Sequence, residues 1–184
     1  MKFAGYAGNM KLVILLFVTG LLVTNAFGGS DAFNGVKCGS DIPKALTGKR
    51  MSNQRVADLE KKHAELGLKD LGGDEISEHL SCTSWLICGS EFMLLEDESF
   101  VRDVLNVPQH SKTSPLFIGA CETNGKESKD IVVAILDNEK DTSASVLTAK
   151  VAWKIDQKKM KFVSVPVEDL SCPRSGVITL DGGL

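Results

Sequence analysis

Tyrosine is almost missing from this chain: there is one in 184 residues, beside two tryptophans, and aromatics make up 6% in all. A protein that holds wall carbohydrate by stacking sugars on exposed rings has little to work with here. Signatures of catalysis are missing too. Ser90 in "CGSEF" lacks the Gly-x-Ser-x-Gly elbow of the hydrolases, and "ETNGKESKD" has no glycine framework for a phosphate loop. No Cys-x-x-Cys is present for thiol redox work, and no second close Cys/His pair suggests zinc. No cofactor is therefore expected. The net charge of −3 gives no general attraction to nucleic acid or to an anionic membrane. Asn-x-Ser/Thr is absent, so N-glycosylation is not expected. The long apolar run, "LVILLFVTGLLV" from Leu12 to Val23, falls short of the roughly 20 residues that cross a bilayer, so no transmembrane segment is expected.

That run reads instead as the core of a signal peptide. Lys11 precedes it, and Thr24 and Ala26 are small enough for the −3 and −1 positions of a cleavage site. Residues 1–26 are expected to be removed, leaving 27–184 as one secreted domain, released outside the cell and open to delivery into a host cell. Five cysteines, Cys38, Cys82, Cys88, Cys121 and Cys172, all lie in that mature part, where an oxidising compartment makes disulfides their first reading. An odd number leaves one over. Cutting at the dibasic pair Lys49-Arg50 would discard Cys38; the plainer reading is a solvated pair ahead of a helix. On one extended strand Cys82 and Cys88 would stand roughly 20 Å apart, against the 7 Å or so that a disulfide spans. The favoured links are Cys38–Cys172, joining the two ends, and Cys88–Cys121, joining neighbouring strands, with Cys82 spare.

The expected architecture is α+β: one main N-terminal helix packed on an antiparallel sheet of four or five strands, disulfide-stapled. The helix is capped by Ser52 or Asn53, carries Val56, Leu59, His63 and Leu66 at helical spacing, and ends at Gly67. "KDLGGDEISEH" reads as a polar loop, "CTSWLICGSEFMLLE" as strand-forming and "SFVRDVLNV" as a short helix stopped by Pro108. "PLFIGAC" and "DIVVAILDN" read as strands, and "VAWKID" and "KMKFVSVP" as a hairpin. With Asp156–Lys159 as its loop, Trp153 faces Phe162 and Lys154 faces Lys161.

Candidate sites are few. Glu91, Glu96, Asp97, Glu98, Asp137, Glu139 and Asp141 look like solvated loop carboxylates. His79 and His110 sit in polar loops; either becomes a catalytic acid or base only if a carboxylate lies within about 3 Å in a cleft. Lys150, Lys154, Lys158, Lys159 and Lys161 crowd the hairpin. They read as a lysine-rich edge that blocks aggregation, or as a basic face for an anionic or protein partner.

The signal peptide, mature length and few cysteines resemble the small secreted proteins of fungi, many of them candidate effectors. The succession "VKCGSDIP", helix, "SPLFIG", "DIVVAILDN", hairpin strand and "FVSVPVEDLSC" also resembles the fungal guanyl-specific ribonucleases and the ribonuclease-like effectors of powdery mildews. Those ribonucleases carry an Arg just ahead of the "VV" strand and a His at the end of the next. Here Asp130 precedes Ile131-Val132-Val133, and "VAWKID" has no His. The resemblance thus implies a binding scaffold rather than a nuclease, and a secreted, effector-like role on another organism's proteins or surface. The alternatives are a secreted hydrolase and a wall-binding protein.

Overall fold

A computed structural model of the chain describes residues 31–139 and 144–178. The expected signal peptide and Asp141 lie outside them. Short turns cut the middle of the chain into strands. Cys88-Gly89 and Glu98-Ser99 are two-residue turns in which all four residues have positive φ, the backbone a tight hairpin needs. They separate β2 (Leu80–Ile87), β3 (Ser90–Asp97) and β4 (Phe100–Asn106). With β1 (Lys69–Glu75), these form a four-stranded antiparallel meander in the order β1-β2-β3-β4.

A second sheet follows: β5 (Leu116–Thr123), β6 (Lys126–Leu136), β7 (Val146–Asp156), β8 (Lys161–Val165), β9 (Leu170–Pro173) and β10 (Val177–Ile178). Its main path runs β10-β5-β6-β7-β8. Strand β9 pairs with β5 through Ser171 and Leu170, and with β7 through Cys172 and its neighbours. Strands β5, β6, β7 and β9 therefore close into a ring.

Three clusters of buried side chains follow from this layout. Leu80, Cys82, Met93 and Leu95 of the first sheet meet Leu116, Val133, Ile135 and Ile155 of the second. The other face of the first sheet, with Trp85, Ile87, Phe92 and Leu94, is covered by Phe33 and by the short helices α1 (Ile42–Leu46) and α2 (Val56–Lys62). Phe117, Val132, Ala134, Leu136, Leu147 and Ala152 fill the ring.

The fold is thus mostly β, not the α+β expected, and the main N-terminal helix is replaced by helices of five and seven residues. Val56 is exposed, so only Leu59 of α2 is buried, and the chain tightens into a 3₁₀ turn at Ala64–Leu66. Gly67 does take the left-handed backbone expected of it, φ 56°. "SFVRDVLNV" is β4. A bulge leaves Arg102 unpaired between Val101 and Asp103, so Val101 and Val104 enter the same core three residues apart and imitate a helical period. "KDLGGDE" is the edge strand β1, not a loop. A Cβ at Gly73 would stand 2.6 Å from the carbonyl oxygen of Cys82, so glycine is what lets β1 approach β2.

Both expected disulfide links are replaced. Cys38 joins Cys88 and Cys121 joins Cys172, while Cys82 is free and buried, as expected of the spare. Cys38 lies in the N-terminal cover and Cys88 in the β2–β3 turn, so that bridge staples cover to sheet. Cys121 and Cys172 face the inside of the ring. The β7–β8 hairpin is two residues out of the expected register, a shift that keeps every side chain on its face. Asp156 pairs with Lys161, Ile155 with Phe162 and Lys154 with Val163. Met160, with φ 52°, joins the turn instead of the strand. Lys161 thus faces a carboxylate instead of Lys154. Trp153 and Phe162 still share the face packed against the inter-sheet core.

Candidate functional site: a cleft at the end of the first sheet

Three neighbouring strands place one row of side chains at the end of the meander. Lys69 pairs with Leu86, and Leu86 with Glu91. Side chains in such a row stand about 5 Å apart on one face. The same face carries Ser84 and Met93, where Ile118 and Ile178 of the second sheet close over a small cavity of about 50 Å³. One row further on, no residue of the second sheet lines the space. The loop Val107–His110 forms the far wall instead, and a cleft of about 410 Å³ opens between it, β1 and the Cys88-Gly89 turn. Leu71, Leu86, Val107 and Pro108 make its apolar walls.

Glu91 lies at the floor of the cleft and in the wall of the small cavity behind it. Its side chain is 11% exposed, that of His110 8%. Ser84 Oγ donates to Glu91 Oε1 at 2.5 Å, and His110 Nε2 lies 2.7 Å from Oε2. Burial pushes the Glu91 carboxyl up, but the hydrogen bonds from His110 and Ser84, with the charge on His110, outweigh it and hold its pKa below the ordinary value. His110 Nδ1 has no hydrogen-bond partner among the described residues and is not sealed from solvent. The result is an imidazole fixed at one nitrogen and presented at the other.

Sequence reasoning set the condition for His110, a carboxylate within about 3 Å in a cleft, and the geometry meets it. It did not name Glu91 as that carboxylate. Glu91 and Glu96, read as loop acids, stand in β3, and Glu96 is 7% exposed. Thr83 Oγ1 donates to Glu96 at 2.5 Å; burial nonetheless raises the Glu96 pKa. His79 lies exposed in the β1–β2 turn, away from this cleft. His63 is buried, with Nε2 2.9 Å from Asp31 Oδ1. Lys62 Nζ also donates to Asp31, at 2.5 Å. Burial raises the Asp31 pKa, but these two hydrogen bonds bring it below the ordinary value. This network ties the start of the described chain to α2. Cys82 is no reactive thiol: burial first, then Glu96 and Asp74, push its pKa to about 12.

The five hairpin lysines do not gather as one bare basic face. Lys150 bonds Ser114 and Glu139, Lys154 lies 3.6 Å from Asp130, and Lys159 lies 3.2 Å from Asp156. Among the described residues Lys158 makes no ion pair, and Lys161, though opposite Asp156, makes none within 4 Å because Lys159 pairs with that carboxylate. Lys49 and Arg50 are exposed, but their backbone is bound to β4: Val101 N–H donates to Lys49 O, and Arg50 forms a β-bridge with Phe100. Among the described residues no cluster of His, Cys, Asp and Glu suits a metal, and no helix is long and apolar enough to cross a membrane. Comparison with known proteins finds no matching family model, no matching curated protein and no matching solved structure.

Proposed function

We propose that this chain is a secreted, non-enzymatic binding protein of the effector-like kind, which engages an extracellular or host partner through the cleft beside β1. The observation that carries the reading is the Ser84–Glu91–His110 network at the cleft floor. Both carboxylate oxygens are engaged and the Glu91 pKa is lowered, so Glu91 serves as an ionised anchor for His110 and not as a general acid. The network suits recognition, because it fixes a polar anchor among apolar walls, the usual make-up of a ligand site. Two disulfides accord with an oxidising destination, and the apolar run before Ala26 accords with secretion.

The test is to compare wild type with His110→Gln in the biological assay and against a panel of RNA and ester substrates. Loss of biological activity in a folded variant, with no turnover by either protein, is the expected result. Hydrolysis by the wild type that disappears in His110→Gln would replace this reading with the secreted-hydrolase alternative.

A further inference from the structure

We propose that the cleft takes a short aliphatic monocarboxylic acid, its chain against Leu71, Leu86 and Val107 and its carboxylate at Lys69 and the free nitrogen of His110. This inference rests on the binding reading given above. It follows from charge and surface. Glu91 is the acid of the cleft lining, and Ser84 and His110 already hold both its oxygens. A cationic ligand would have to break those bonds to use it. Lys69 has no acidic partner among the described residues, so its positive charge stands uncompensated at the rim. An arriving carboxylate finds Lys69 on one side and, on the other, the Nδ1–H of the imidazolium form of His110, whose Nε2–H keeps its bond to Glu91, so no bond already made is displaced.

The body of the ligand is set by the walls. Their apolar part is aliphatic, with no Phe, Tyr or Trp side chain on which a planar ring would stack. The cross-strand row Lys69–Leu86–Glu91 runs charge, alkyl group, charge across three strands, so an alkyl chain laid over Leu86 keeps its head at one end. The volume, about 410 Å³, lies in the range of small-molecule sites. The rim is rigid. Its turn residue Cys88 is held by the bridge to Cys38, and its backbone N–H donates to Leu66 O at 2.6 Å.

The experiment is calorimetric titration of the full chain with octanoate, 1-octanol and octylammonium at equal ionic strength. NMR of the His110 imidazole locates each probe. Octanoate is expected to bind about tenfold more tightly than octanol, the increment of one charge-assisted contact, and octylammonium least. Lys69→Gln should bring octanoate down to the affinity of octanol and leave octanol unchanged. Octanol or octylammonium perturbing His110 as strongly as octanoate does would overturn the acid preference and leave the cleft as a binding site. No response of His110 to any of the three would overturn both readings.

Discussion

Buried carboxylates in this protein have opposite effects on stability. Asp31 and Glu91 are held below their ordinary values of 3.8 and 4.5, so each contributes stability that is present above those values and is lost as pH falls through its lower folded pKa. Glu96 is raised above 4.5, so its contribution is present below that value and is lost as pH rises through the folded pKa. Glu96 stands in a nearly sealed site that disfavours its charged form, with Thr83 as its hydrogen-bond donor. Glu96→Gln should therefore raise the melting temperature at pH 7, and the gain should vanish below about pH 4.5, where both side chains are neutral. A lower melting temperature at pH 7 would mean that the charge itself is needed. Asp31→Asn should do the reverse, costing about 1–3 kcal/mol at pH 7 because Lys62 and His63 lose a charged acceptor. Denaturant unfolding should show the penalty shrinking as the solution is acidified through the folded pKa of Asp31.

Strand β1 and the turns show how far an element can be read from its residues. β1 has two glycines and three acids in seven residues, a composition that argues for a loop on propensity alone. It becomes a strand because β2 offers it a full edge and Gly73 allows the approach. Gly73→Ala should detach part of that edge. The expected sign is faster amide exchange at Asp74 and Glu75 than in β2–β3, with no change inside the ring. The strands around Trp85, Val133 and Trp153 were legible, since β-branched and aromatic residues alternate there. The Asn124-Gly125 turn carried a hairpin signal that sequence reading left unused; both residues have positive φ. The helix expected at Ser99–Val107 was not recoverable, because a bulge reproduces a three-residue spacing. The candidate site was half legible. His110 stood out by its chemistry, but its approach to Glu91, nineteen residues earlier, depends on how the β4–β5 loop folds back.

Across the whole molecule, each disulfide stays within one half. Cys38–Cys88 spans 50 residues and ties the N-terminal cover to the first sheet; Cys121–Cys172 spans 51 and lies within the second. Among the described residues nothing covalent joins the two sheets apart from the chain itself, so their union rests on the apolar cluster of Met93, Leu95, Leu116, Val133 and Ile135, with a hydrogen bond from Phe162 N–H to Asp103 Oδ2 beside it. Leu95→Ala should cost about 2–5 kcal/mol, as read by denaturant unfolding. Removing Cys38–Cys88 as a serine pair should cost up to about 4 kcal/mol by loop-closure entropy and should loosen the cleft rim first. The ring in the second half has a different consequence. Its closing strand, β9, comes after its other three members in the chain, and Cys121 finds its partner only at Cys172. A chain threading out of a ribosome or a translocation channel therefore carries three strands with an open seam, and one waiting thiol, until Pro173 has cleared the exit.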